Sequence, residues 1–189
     1  MCGRMNVIDD AVCQFISSML GIEFSTLSNP DLRPTNTVST VIRPPAGFQQ
    51  VDASWGIKPD WSNKLLINAQ SETVDIKPTF RDAFDHSRCL VPVNSWFEWK
   101  AEGDKKQKYE ISRLDESPMF MAGILYNPEH PQLVTLTAKP TGHCADIHHR
   151  IPVIVQPENI ADWFDTPSHS LIHLMSNTQE KTLKAVKCS

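Results

Sequence analysis

Prolines outnumber glycines two to one in this chain, 14 against 7, and they cut it into short segments. Proline fixes φ and removes a backbone donor, so long helices and long interior strands cannot run through such spacing. What is left is a series of short extended runs rich in β-branched and aromatic residues. Candidate strands are Thr37–Arg43, Phe48–Ile57, Leu65–Ala69, Arg88–Lys100, Lys108–Arg113, Met119–Tyr126, Leu133–Thr137 and Pro152–Gln156. Glu102-Gly103-Asp104 reads as a hairpin turn between two of them. Helical periodicity is clear only near the start. Over residues 9–20, Val12, Phe15, Ile16, Met19 and Leu20 recur at i, i+3 and i+4; Asp9 or Asp10 can cap the start and Gly21 the end. Shorter helices are predicted over Thr79–His86, Pro157–Phe164 and His169–Met175. The pattern predicts an α+β fold: a single β-rich domain spanning 1–189, with a curled, mostly antiparallel sheet and a few short helices.

The 189 residues carry a net charge of −4, which excludes a polybasic protein that coats nucleic acid by bulk charge. Any DNA contact has to come from a local patch. No apolar run approaches the ~20 residues of a membrane span, and Met1–Asn6 carries no export signal. A cytoplasmic location is expected. The five cysteines, at 2, 13, 89, 144 and 188, are odd in number and never spaced C-x-x-C, so reduced thiols are expected and a zinc ribbon is excluded.

Cys2 has the most distinctive chemistry. If Met1 is removed, Cys2 presents an α-amine titrating at about 7.7–8.0 beside a thiol near 8.5. Such a 1,2-aminothiol condenses with an aldehyde to a Schiff base, which the thiol closes into a thiazolidine. It can instead serve as nucleophile in amide hydrolysis, with its own amine as base. A small residue without a role is the plainest alternative. Asn68-Ala69-Gln70-Ser71-Glu72-Thr73 is a polar string at the end of an apolar run, either a site or a solvated turn. In Trp96-Phe97-Glu98-Trp99, alternation places Trp96 and Glu98 on one face and Phe97 and Trp99 on the other. A carboxylate between indoles is desolvated towards acid–base use, although a surface strand explains the same string. His143-Cys144-Ala145-Asp146-Ile147-His148-His149-Arg150 has metal-ligand types without metal-ligand spacing. It reads better as a proton-transfer group, His148, beside a phosphate clamp, Arg150. His169 and His173 form an i, i+4 pair without the glutamate of a metalloprotease helix. Trp55 and Trp61 flank a turn; both can stack on bases, and at least one is expected in the core.

Taken in order, these strings resemble the SRAP family, the SOS response-associated peptidases or abasic-site processing proteins. Met1-Cys2-Gly3-Arg4, Trp55-Gly56 with Pro59 and Trp61, Asn68–Thr73, Arg88-Cys89 to Pro92, Trp96–Trp99 and Asp146–Pro152 follow the family's order and rough spacing. The resemblance implies binding of single-stranded DNA with an abasic site, and a thiazolidine crosslink between Cys2 and the sugar aldehyde. It implies no metal, no cofactor, a monomer, and association with the nucleoid when DNA is damaged. By position, Asn68 would orient the cysteine amine and the sugar, Glu98 would be the acid–base group, and His148 would donate to the sugar oxygen. Arg4, Trp55, Gln70, Arg81, Thr137 and Arg150 would contact DNA. An N-terminal cysteine peptidase with autocatalytic Met1 removal is the alternative. Two departures stand out. Gln70 replaces the family's usual arginine, which predicts weaker binding or a flatter salt dependence. The chain stops at Ser189, short of the family's usual tail, which puts the last sheet edge in question.

Overall fold

A computed structural model of the chain describes residues 3–171, 175 and 180–189. The chain enters as β1 (Met5–Val7), forms α1 (Asp9–Leu20) and returns as β2 (Asn29–Leu32). Next come β3 (Thr37–Ile42), β4 (Gln49–Trp55), the short β5 (Asn68–Gln70) and α2 (Pro78–His86). The strands β6 (Arg88–Val93), β7 (Ser95–Glu102), β8 (Lys105–Arg113), β9 (Met119–Tyr126) and β10 (Gln132–Ala138) follow in close succession. A 3₁₀ turn at His143–Asp146 leads to β11 (Ile151–Pro152), β12 (Ile154–Val155), α3 (Ile160–Asp165) and β13 (Leu183–Lys187). No helix among the described residues is long and apolar enough to cross a membrane.

The strands form two sheets. One runs β13-β8-β7-β1-β2 and is antiparallel throughout. In the other, β10 pairs with both β4 and β9, and β4-β3-β6-β9 links those two, so the five strands close into a small barrel. The expected antiparallel character holds except on β10, which runs parallel to β4 at Gln132–Leu133 and to β5 at Thr135–Thr137. Strands β6, β9 and β10 are buried on both faces. Their near-continuous apolar sequences, such as Met119–Ile124, follow from that double burial. Gly123 on β9 lets two walls approach: a Cβ there would lie 2.8 Å from both Cys89 Sγ and Leu133 Cδ1.

The helix over residues 9–20 forms as predicted and buries Val12 and Ile16, with the Phe15 ring 5.0 Å from Phe120. Its cap differs from the prediction. Ile8 occupies the cap position; the Asp9 N–H donates to Ser28 Oγ at 2.9 Å, and the Asp9 carboxylate accepts the Asp10 N–H at 2.8 Å. Gly21 ends the helix at φ 66°, as expected. The run Arg88–Lys100, read as one strand, is two strands in two different sheets. The break is Asn94, whose N–H donates to Asn6 O at 3.0 Å and whose Oδ1 accepts the Ile8 N–H at 2.7 Å. The helix predicted over Pro157–Phe164 begins as a 3₁₀ turn at Pro157–Asn159 before becoming α3. In the segment predicted as His169–Met175, His169 lies in a 3₁₀ turn, while His173 and its neighbours lie outside the described residues. The last segment, Leu183–Lys187, pairs with β8 over Tyr109–Arg113 and forms that sheet's edge.

Candidate active site

The chain start is held against the strand that carries Glu98. Met5 pairs with Trp96 and Asn6 with Ser95, and the Phe97 N–H donates to Arg4 O at 3.0 Å. Glu98 is the next residue of β7 beyond that bond, and Gly3 the next residue towards the chain start. Cys2, the next residue towards the start, lies outside the described residues. The register is secured from below: Glu110 on β8 accepts from the Asn6 amide at 3.2 Å and from the Ser95 hydroxyl at 2.5 Å.

Alternation along β7 is as the sequence predicts. Trp96 and Glu98 point inward, 0% and 1% exposed. On the other face the Lys108 ammonium sits 3.7 Å from the Phe97 ring centre and 5.9 Å from that of Trp99. Burial lifts the Glu98 carboxyl from its ordinary 4.5 to about 7, because the ionised form loses hydration. His148 faces it, with Nε2 3.9 Å from Glu98 Oε2. At that separation one oxygen can sit about 2.8 Å from both atoms. Burial lowers the His148 pKa, which favours the neutral ring. Its Nδ1 lies 3.1 Å from both the N–H and the C=O of Arg150. A neutral ring accepts from that N–H and keeps its proton on Nε2, towards Glu98; a protonated ring donates to the C=O.

Asn68 stands on β5 opposite Thr135, whose hydroxyl donates to Asn68 Oδ1 at 2.5 Å. Two positions on, exposed Gln70 shares its face and pairs with Thr137. Three residues expected to touch DNA are structural instead. Trp55 is fully buried, its indole N–H donating to Ile67 O at 3.2 Å, so it has no free face for a base. Trp61 is the exposed member of the pair, at 69%. Thr137 is buried, its hydroxyl donating to Ala69 O and accepting from Arg150. Arg150 is 5% exposed. Its guanidinium forms a bidentate pair with Glu72, at 2.7 and 2.8 Å, and also donates to Thr137 O. That pair holds the Glu72 carboxyl below its ordinary value. Arg150 therefore locks the histidine loop to the Asn68–Thr73 segment, and its donors point inward rather than to a phosphate. Arg4 is partly exposed; it pairs with Asp31 and lies over the Trp99 ring. Arg81 is exposed on α2.

Sequence reasoning missed Glu72 as the partner of Arg150, Thr135 as the support of Asn68, and Glu180. Glu180 meets His143 and Cys144, their ligand-type atoms lying within 4.8 Å of one another. Its oxygens accept the backbone N–H groups of Thr141, Gly142 and Cys144, and burial with nearby carboxylates pushes the Cys144 thiol up to about 12. Both Glu180 oxygens of that group are already engaged by backbone N–H groups.

Comparison with known families settles the lineage. The family described as SOS response associated peptidase (SRAP) matches residues 1–189. The chain belongs to the SRAP family. Abasic site processing protein YedK of Escherichia coli is 39% identical over 115 residues, 58% of this chain and 52% of that protein. Abasic site processing protein YoqW of Bacillus subtilis is 30% identical over 194 residues, 95% of this chain and 87% of that protein. A crystal structure of a Bordetella bronchiseptica protein superposes with TM-score 0.85 over the whole of both chains at 20% identity, which shows that the SRAP chain shares its fold.

Proposed function

We propose that this SRAP protein senses abasic sites in single-stranded DNA and shields them by a covalent thiazolidine bond through Cys2, once Met1 is removed. The observation that carries the reading is Glu98. A buried carboxyl with a pKa raised to about 7 stands on the strand paired with the chain start, and His148 faces it at 3.9 Å. A group poised near neutrality can both take and return a proton during turnover.

The chemistry releases one water. Ionised Glu98 takes the proton of the sugar's anomeric hydroxyl, protonated His148 gives its Nε2 proton to the ring oxygen and is left neutral, and the ring C–O bond breaks to give the aldehyde. The Cys2 amine adds to that carbonyl, and water leaves as the imine forms. The Cys2 thiolate then adds to the imine carbon, and the nitrogen takes a proton. Asn68, oriented by Thr135, holds the amine and the sugar. The strand is bound by a few cations, Arg4 and Arg81 among them, and by stacking of a base on Trp61 in place of Trp55. The protein acts as a monomer without a cofactor.

The test is a denaturing gel with an oligonucleotide bearing one abasic site, followed by intact mass. The expected adduct has the mass of Met1-less protein plus DNA minus one water, and Cys2→Ala abolishes it. An adduct that survives Cys2→Ala overturns the thiazolidine. Absence of any adduct from Met1-less protein, with release of amine from a peptide substrate, moves the assignment to a peptidase.

A further inference from the structure

We infer that Glu180 is a positioning residue that sets His148 through the backbone of its loop; the inference rests on the acid–base role given to His148 above. Glu180 is 5% exposed and lies in the 3₁₀ turn Glu180–Thr182, immediately before β13. It reaches across to the segment after β10. Its Oε1 accepts from the Thr141 N–H and, at 3.2 Å, from the Thr141 hydroxyl. Its Oε2 accepts from the Gly142 N–H at 2.9 Å and the Cys144 N–H at 3.3 Å.

Thr141 and Gly142 lead into the 3₁₀ turn His143–Asp146, and the Cys144 N–H lies in its first turn, where the helical ladder has no acceptor to offer. A buried carboxylate answers that need more strongly than a neutral acceptor. The turn passes the constraint on: Cys144 O accepts the His148 N–H at 3.1 Å and the Ile147 N–H at 3.0 Å. His148 is therefore fixed at both ends. Its backbone hangs from the turn that Glu180 ties, and its ring rests on Arg150, which Glu72 ties. Gly142 leaves room for the carboxylate, since a Cβ there would stand 2.9 Å from Glu180 Oε2.

Glu180→Gln keeps the shape but turns an amide N–H₂ towards N–H groups that need an acceptor. The experiment compares wild type, Glu180→Gln, His148→Ala and the double variant. It reads the crosslinking rate at saturating abasic single strand across pH, the affinity for undamaged strand, and the NMR titration of the His148 ring. The expected result is a rate roughly 10–100-fold lower, as for a reacting group displaced by about 1 Å. Affinity stays within about twofold, the His148 titration moves, and the double variant is no slower than His148→Ala alone. A wild-type rate in Glu180→Gln, or full additivity in the double variant, overturns the inference. If His148→Ala itself reacts at the wild-type rate, the catalytic role of His148 fails. The ring titration then decides positioning by itself, and an unmoved titration overturns it. If Glu180→Gln does not fold, Gly142→Ala displaces the carboxylate while keeping its charge. The same slowed rate and moved titration are then expected, and a wild-type rate overturns the inference.

Discussion

Replacing Glu98 by glutamine probes the burial that defines the site. In the folded chain the carboxyl keeps its proton up to about pH 7; in the unfolded chain it releases it near the ordinary 4.5. Between those values the folded state binds more protons, so stability is fully present below about pH 4.5 and is lost as pH rises through about 7. An elevation from 4.5 to about 7 amounts to ~3 kcal/mol at ~1.36 kcal/mol per tenfold change. Glutamine has the same shape and never ionises, so Glu98→Gln escapes that loss. Urea denaturation of both proteins at about pH 5 and about pH 8.5 should show the variant gaining ~3 kcal/mol on wild type towards the alkaline end. The substitution should also slow crosslinking far more than it weakens binding of undamaged strand. A stability difference that is equal at the two pH values would mean that Glu98 ionises as freely folded as unfolded. The acid–base argument would then lose its basis.

Other perturbations separate contact from support. Gln70→Arg adds a cation to an exposed position beside Asn68; binding of single strands should tighten and the salt slope steepen by about 0.7, measured by fluorescence anisotropy at several ionic strengths. Glu72→Gln leaves a buried guanidinium without its carboxylate. Because the Glu72 side chain is 42% exposed, the loss should be roughly 2 kcal/mol, below the ~3–5 of a fully buried pair, read by thermal melting. Arg150→Ala should lower stability in the same way and leave the salt slope unchanged; a shallower slope would return Arg150 to the phosphates. Trp61→Ala should weaken single-strand binding by ~1–3 kcal/mol with little change in melting, whereas Trp55→Ala should destabilise the fold.

The sequence made the β-rich architecture legible because its signals are local. Alternation along β7, the helical spacing of Val12 and Ile16 and the stop at Gly21 each act within one element. The strand break at Asn94 was hidden because its cause is remote. An amide that accepts the Ile8 N–H looks, in sequence, like any polar residue within a strand. The same holds in the site. Glu98 and His148 announce themselves by residue type and neighbours, but their facing geometry joins different parts of the chain. Arg150 reads as a phosphate clamp until Glu72, 78 positions earlier, is seen to occupy it. Trp55 and Trp61 are equivalent on paper. Only the fold, which buries Trp55 fully and leaves Trp61 69% exposed, tells them apart.

The barrel ring has a consequence for how the protein wears out. Strands β4, β3, β6, β9 and β10 pair round to their starting point, so within that ring fraying has no free edge at which to begin. His148 sits instead on a loop tied by a few hydrogen bonds, several of them from single side chains. Local opening draws first on such segments. On gentle heating, crosslinking competence should fade while the circular dichroism of the sheets is still intact, and it should return on cooling. A stock of this protein can therefore look sound by its spectrum after its chemistry has gone quiet.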